Sequence, residues 1–259
     1  MLTRRNIQRI VSLRQKKHRN ELGLFVAEGQ RLVSELLKSH LDVAEIYHTG
    51  NLEKMFTVDS KIATTLVSEN EMNRISALST PTPVLALVKM PLYNAEPINH
   101  ANQLVLALDS IQDPGNMGTI LRLADWFGID TILCSNDTAD IFSPKVVQAS
   151  MGAIARIKVH YCNLPTKLSA YSKNSPIFGT YLEGESIYDL PGVESGCIVM
   201  GNEGNGISPE VGSCITQKIH IPDFAGGRAR VESLNVAMAT AIVLSEFRRK
   251  QVALINHET

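Results

Sequence analysis

The stretch Leu104-Val105-Leu106-Ala107-Leu108-Asp109-Ser110-Ile111-Gln112-Asp113-Pro114-Gly115-Asn116-Met117-Gly118-Thr119-Ile120-Leu121-Arg122 decides the fold. It opens with a continuous apolar run, as in a strand covered on both faces, passes through a polar loop carrying Pro and Gly, and resumes with helical spacing over Gly118 to Phe127. A helix starting near Asn116 would take Asn116 as its N-cap and carry Arg122 about a turn and a half inside.

The same alternation continues C-terminally. Thr131 to Cys134, Ile177 to Tyr181, Cys197 to Met200 and Lys218 to Ile221 read as strands, Pro144 to Met151 as a helix, and Ser233 to Lys250 as a long helix. Strands without polar alternation, separated by helices, predict an α/β domain built on a mainly parallel sheet. Upstream, Pro81, Pro83, Pro91 and Pro97 cluster, and Leu92 to Asn102 is polar with little periodicity, which marks a domain boundary there. Before it, helical Arg31 to Ser39 alternates with strand-like Val43 to His48 and Val84 to Val88, a small α/β domain. Two domains also suit 259 residues at ~150 per domain.

A net charge of −1, from 25 basic and 26 acidic residues, excludes a chain that grips polyanions by bulk positive charge. The charge is unevenly spread. Met1 to Asn20 holds Arg4, Arg5, Arg9, Arg14, Lys16, Lys17 and Arg19 with no carboxylate, a local +7 that leaves −8 on the remainder. Such a start is either a phosphate footprint or a solvated helix face. It lacks the roughly 7–15-residue apolar centre of a secretory signal and weakly resembles an organelle transit sequence; a mature cytoplasmic N-terminus is the favoured reading. The longest strongly apolar stretch, Val236 to Leu244, falls far short of the ~20 residues needed to cross a bilayer, so no membrane association is expected. Cys134, Cys162, Cys197 and Cys214 form no CxxC pair and lack His at zinc-finger spacing; they read as buried thiols, and no metal site is expected.

Three segments place glycines and polar groups directly after a predicted strand, where open α/β sheets bind ligands. Asp109 to Arg122 is the first. The second, Met200-Gly201-Asn202-Glu203-Gly204-Asn205-Gly206, lets backbone approach a flat or anionic ligand, yet its GxxGxG order fails as a dinucleotide fingerprint. The third runs from Ile221-Pro222 to Ser233-Leu234-Asn235-Val236, where Ser233 or Asn235 can cap the last helix.

Taken together, D-x-x-x-D-P-x-N-x-G-x-x-x-R at Asp109 to Arg122, M-G-N-E-G at Met200 to Gly204, and I-P followed by S-L-N-V at Ser233 to Val236 resemble the SpoU (TrmH) branch of the SPOUT superfamily. These are S-adenosylmethionine-dependent RNA 2′-O-ribose methyltransferases. The N-terminal part, with Arg19-Asn20-Glu21-Leu22-Gly23-Leu24-Phe25-Val26-Ala27-Glu28-Gly29, is similar to the small ribosomal-protein-like substrate-binding domain that often precedes the catalytic one. The resemblance implies an RNA-binding domain over 1–95 and a SPOUT catalytic domain over 103–259, with a parallel sheet and a deep trefoil knot. Connections that thread a loop are otherwise very rare.

By the same resemblance, Met200, Gly201, Asn202, Gly204, Ile221 and Leu234 hold S-adenosylmethionine, and Asn116, Arg122, Glu203, Ser233 and Asn235 form the active site. Lys16, Lys17, Arg19 and Glu28 are the RNA-contact candidates. The substrate would be ribosomal or transfer RNA, and the protein a homodimer packed through its last helix. The link from Asp223 to Glu232, with Gly226-Gly227-Arg228-Ala229-Arg230, is longer than the family usually has.

The chemistry sets the demands. A ribose hydroxyl is a poor nucleophile near neutral pH and needs a base or a field that stabilises developing alkoxide. Arginine holds its proton too firmly to serve as a simple base, so Arg122 is expected to grip phosphate or the nascent oxyanion. Glu203 is expected to orient Arg122 or Asn116, against the simpler role of capping a turn. The competing readings are a non-catalytic RNA-binding protein that retains the fold, against which the intact polar set argues, and a dinucleotide-dependent oxidoreductase, disfavoured because no GxGxxG follows a first strand.

Overall fold

The computed structural model describes residues 1–91, 93, 103–173, 175–225 and 233–257. In chain order the elements are α1 (Arg4–Ser12), α2 (Lys16–Leu22), β1 (Leu24–Glu28), α3 (Gln30–Leu37), β2 (Val43–His48), β3 (Ala63–Leu66), α4 (Glu69–Ile75) and β4 (Val84–Lys89). They continue with β5 (Leu104–Leu108), α5 (Pro114–Trp126), β6 (Thr131–Cys134), α6 (Pro144–Ala149), β7 (Lys158–Tyr161), α7 (Leu164–Tyr171), β8 (Ile177–Ser186), β9 (Gly196–Met200), α8 (Pro209–Gly212), β10 (Gln217–His220) and α9 (Val236–His257). The boundary expected at Leu92–Asn102 lies outside the described residues except for Tyr93, as does the Gly226–Glu232 part of the long link.

The chain divides into two compact units. One comprises Met1–Leu92 together with Asp140–Arg156, the other Tyr93–Ala139 together with Ile157–Thr259. Helix α6, which the sequence pattern grouped with the C-terminal elements, therefore belongs to the first unit. Its segment is fastened there by the Phe25–Phe142 ring contact at 5.0 Å and by ion pairs from Arg19 to Asp140 and Arg156 to Glu35. None of these partners is adjacent in sequence, so periodicity could not have assigned the segment.

In the first unit the sheet order is β1-β4-β2-β3, with β4 antiparallel to both neighbours and β2 parallel to β3. Strand β4 is central and buried from Val84 to Val88, which is why its run is unbroken by polar residues. Ile7 and Ile10 of α1 and Met72 and Ile75 of α4 close one face of the sheet over Val26, Leu85 and Leu87. Helix α4 starts on a reciprocal capping box, Ser68 accepting from the Glu71 amide while Glu71 accepts from that of Ser68.

The second unit holds a six-stranded sheet in the order β10-β8-β9-β5-β6-β7, every adjacent pair parallel. From β5 the chain builds outward through β6 and β7, then crosses to the far side for β8 before β9 fills the space beside β5. The order thus reverses between β5 and β9, and the crevice outside their carboxyl ends is where such sheets bind ligands. Leu108 pairs with Met200, so the first two sequence blocks leave the sheet side by side.

Helix α5 begins earlier than the sequence suggested. Asp113 is its N-cap, accepting from the Asn116 amide at 2.8 Å, and Pro114 occupies the first turn, where its missing N–H is no loss. Asn116 is therefore not the cap but a residue inside the first turn whose side chain is not used in capping, and Arg122 lies more than two turns in. Helix α9 starts at Val236, with Asn235 as cap: its Oδ1 accepts from the amides of Ala237 at 3.0 Å and Met238 at 3.2 Å. Ser233 does not cap it. The cysteines are free, with Cys134 and Cys197 buried but Cys162 and Cys214 only partly so, which corrects the reading of all four as buried. Among the described residues no helix is long and apolar enough to cross a membrane, and no cluster of His, Cys, Asp and Glu is arranged to hold a metal.

Candidate active site

Three side chains from the three blocks meet in a hydrogen-bonded triangle. Asn116 Nδ2 donates to Glu203 Oε1 at 2.8 Å, across 87 positions of sequence. Asn235 Nδ2 donates to the same oxygen at 2.8 Å and to Asn116 Oδ1 at 2.9 Å, the latter spanning 119 positions. The Val236 amide, first in α9, adds a third donor to Glu203 Oε1 at 3.2 Å. Glu203 thus bonds Asn116, one of the two partners expected from sequence, and its charge sits at the N-terminus of α9, where an anion is favoured, rather than capping its own turn. It does not pair with Arg122.

The bend that carries Glu203 is built from its own backbone. Asn202 and Gly206 exchange N–H···O bonds of 2.9 Å each, while Asn202 Oδ1 accepts from the amides of Gly204 at 2.9 Å and Asn205 at 3.1 Å. Gly201 is required by contact. A Cβ there would lie 2.4 Å from the Gly206 carbonyl carbon and from the Ile207 nitrogen, both backbone atoms.

Two further ties fix the bend to β5. Buried Asp109 accepts from the Ser208 amide at 2.7 Å, and Asn202 Nδ2 donates to the Ser110 carbonyl at 2.7 Å. Sequence reading gave Asp109 and Ser110 no role beyond the motif. The signal available was the two-sided polar loop, but only the fold shows what it bonds. Tyr181 on β8 has its phenol pushed up, first by burial and then by the Asp109 charge.

Of the predicted cofactor residues, Met200 is buried at the end of β9, Gly201 and Asn202 are half-buried and Gly204 is exposed on the bend. Ile221 follows β10 half-buried, and Leu234 keeps 48% of its surface open one residue before the α9 cap. Arg122 and Ser233 are exposed and their side chains have no hydrogen bond or ion pair among the described residues, so the triangle forms without them.

The N-terminal candidates separate sharply. Lys16 and Lys17 are exposed, as are Arg4, Arg5 and Arg14. Arg19 is only 2% exposed; it donates to the Leu13 carbonyl at 2.8 Å and the Arg14 carbonyl at 2.9 Å and pairs with Asp140 at 2.5 Å. Glu28 is also buried, accepting from the Ser76 hydroxyl and, at 2.8 Å, from the Ala77 amide. Both are corrections to the RNA-contact reading, because buried charges of this kind are retained only when satisfied internally. Arg9 is likewise engaged, by Glu45 at 2.6 Å, and the Tyr47 hydroxyl donates to the same carboxylate. Burial first, and then that bond, push the Tyr47 phenol up to about 12.

Residues 103–245 match the SpoU rRNA methylase family, and residues 4–86 match the MRM3-like substrate binding domain. The chain is 32% identical over 238 residues to the 23S rRNA (guanosine(2553)-2′-O)-methyltransferase RlmP of Bacillus subtilis, covering 91% of this chain and 93% of the relative. It is 27% identical over 300 residues to the mitochondrial rRNA methyltransferase 3 of Homo sapiens, covering 92% and 70%. Among solved structures, a Porphyromonas gingivalis protein assigned to the TrmH family of RNA methyltransferases superposes with a TM-score of 0.86 at 40% identity, covering 96% of this chain and 99% of that one. An AdoMet-bound rRNA methyltransferase from Sinorhizobium meliloti gives 0.85 at 29% identity, with 96% of each chain covered. The triangle thus joins the three blocks of a sequence that belongs to the SpoU rRNA methylase family.

Proposed function

We propose that the protein transfers the methyl group of S-adenosylmethionine to a ribose 2′-hydroxyl of ribosomal or transfer RNA. The observation that carries this reading is the Asn116–Glu203–Asn235 triangle, which draws three distant blocks to the crevice outside β5 and β9. The residues present fit the methyl donor. The 201–206 bend offers backbone polar groups with little side-chain cover, and the part-open Leu234 and Ile221 offer apolar surface for an adenine. When bound, the donor supplies an electrophilic methyl on a sulfonium.

The chain's own contribution is orientation and charge. Glu203 holds the carboxamides of Asn116 and Asn235, and the rigid bend removes freedom that would otherwise oppose in-line approach, an effect worth several kcal/mol when reacting atoms stand about 3–3.5 Å apart. The exposed guanidinium of Arg122, without an ion pair among the described residues, is available to an RNA phosphate or the nascent oxyanion, with Ser233 or the phosphate relaying the proton; Asn235 is committed on both amide atoms to Glu203, Asn116 and the first amides of α9. The intact polar set weighs against a non-catalytic RNA-binding role.

Residues 1–95 are the RNA-binding part, Lys16 and Lys17 contributing to its footprint, and 103–259 carries the catalytic part, apart from Asp140–Arg156, which packs into the first unit. The trefoil knot, a homodimer packed through α9 and a cytoplasmic location complete the proposal. Incubation of the full chain with labelled S-adenosylmethionine and ribosomal or transfer RNA should yield label in alkali-resistant dinucleotides, the mark of 2′-O-methylation. Label confined to bases, or none, would overturn the reading. Arg122→Lys should lose at least about tenfold in turnover with donor affinity unchanged, because a lysine cannot reproduce the bidentate fork.

A further inference from the structure

The hydroxyl network beside the glycine bend points to a residue that the triangle does not use. Ser110 has φ of 58°, a left-handed backbone conformation that a non-glycine residue holds only when its surroundings enforce it. Three bonds enforce it here. The Ser110 amide donates to Ser135 Oγ at 2.8 Å, its hydroxyl donates to Asp137 Oδ2 at 2.6 Å, and its carbonyl accepts from Asn202 Nδ2 at 2.7 Å. Asp137 Oδ1 takes the Ser135 hydroxyl at 2.6 Å. One carboxylate therefore clamps hydroxyls from the loops after β5 and β6. An ionised carboxylate suits this place, since it accepts on both oxygens and makes each serine bond charge-assisted. The clamp also holds the Asp137 carboxyl below its usual range, through Ser110 first and Ser135 second.

The consequence reaches the bend through one amide. With Nδ2 of Asn202 committed to the Ser110 carbonyl, its Oδ1 must face the other way, where it accepts from Gly204 and Asn205 and so shapes the turn around Glu203. We propose that Asp137 is a positioning residue of the methyl-donor site, acting through the Ser110 carbonyl on Asn202 and thereby on the Gly201–Gly206 bend. The inference rests on the donor-binding reading of that bend. Asparagine at 137 removes the charge and presents one acceptor and one donor; a serine hydroxyl can accept from that donor, but a charge-assisted bond is then exchanged for a weaker neutral one, the left-handed turn is held less firmly and the Asn202 amide with it.

The test uses the full chain as wild type, Asp137→Asn, Ser110→Gly and the double variant, titrated with S-adenosylmethionine by calorimetry. Asp137→Asn should weaken donor binding about tenfold, the scale of one lost charge-assisted bond in a preorganised site. Glycine adopts positive φ without a clamp, so Ser110→Gly in the Asp137→Asn background should recover about threefold of that loss. Because glycine at a positive φ also relieves strain on the fold, the positioning role is read from donor affinity and from amide exchange at the bend rather than from the thermal midpoint. In the donor-free protein, NMR exchange at the Gly204 and Asn205 amides should quicken in Asp137→Asn and slow again in the double variant. Wild-type affinity and wild-type exchange in Asp137→Asn would overturn the proposal while leaving the donor site intact. Failure of the wild type itself to bind S-adenosylmethionine would overturn the donor-site reading, and the positioning role with it.

Discussion

Replacing Gly201 by alanine tests whether the bend must keep its shape to within an ångström. The added Cβ would stand 2.4 Å from the carbonyl carbon of Gly206 and the nitrogen of Ile207, and 2.6 Å from the Gly206 oxygen. Ordinary contact begins at 3.4 Å, so the returning backbone must retreat by about 1 Å. No flexible side chain can absorb the movement. What resists it is the pair of 2.9 Å bonds between Asn202 and Gly206 and the 2.7 Å bond from Ser208 to Asp109.

Overpacking of this kind costs ~1–3 kcal/mol, and each bridging bond that breaks adds about 1 kcal/mol, so the bend is destabilised by roughly 2–4 kcal/mol. The shift also carries Glu203 away from Asn116 and Asn235, both now at 2.8 Å. A misplacement of about 1 Å lowers turnover by about 100-fold in a preorganised site. Calorimetry with S-adenosylmethionine and single-turnover methyl transfer should therefore show at least about tenfold weaker donor binding and about 100-fold slower transfer, with the cooperative thermal transition retained. If Gly201→Ala matched the wild type within about twofold in both, the close-packed bend would have no part in donor binding.

Glu203→Gln keeps the shape but removes the charge that gathers three donors; turnover should fall about tenfold with only a small change in thermal midpoint, and an unchanged rate would leave Glu203 as a helix-end charge alone. Lys16→Glu with Lys17→Glu should weaken RNA binding and flatten its salt dependence without loss of stability, whereas Arg19→Ala should destabilise the first unit by about 3–5 kcal/mol, since it leaves Asp140 with an uncompensated charge. A stable Arg19→Ala protein with impaired RNA binding would reverse that assignment. The Glu71 carboxyl is lowered to about 2 by the Ser68 amide first and then by that of Leu2. Because its folded value is depressed, the α4 cap contributes stability above the usual carboxylate range and loses it as pH falls from that range to about 2. A carboxyl carbon titration that placed Glu71 in the ordinary range would show that the capping box is not formed in solution.

Much of the scaffold was written in local patterns. Leu104–Leu108 and Thr131–Cys134 read as buried strands because parallel sheets covered on both faces tolerate no polar alternation, and both strands form with those limits. The start of α5 was missed by a few residues, because Asp113 and Pro114 compete with Asn116 for the first turn and only the hydrogen bond decides. Segment Asp140–Arg156 could not be placed at all from pattern, since what draws it to the first unit is a set of pairings with Arg19, Phe25 and Glu35.

The site divides along the same line. The sequence by itself singled out Asn116, Glu203 and Asn235, which stand in motifs whose types and order are specific as a set. Tertiary structure alone decided how they meet, and which residues sit behind them. It put Glu203 on Asn116 rather than Arg122, turned Arg19 and Glu28 inward, and joined Asp137 to Asn202 through Ser110. The physical reason is range. Strand and helix patterns arise from neighbours a few positions apart, whereas a hydrogen bond spanning 119 positions exists only after the sheet has ordered its strands.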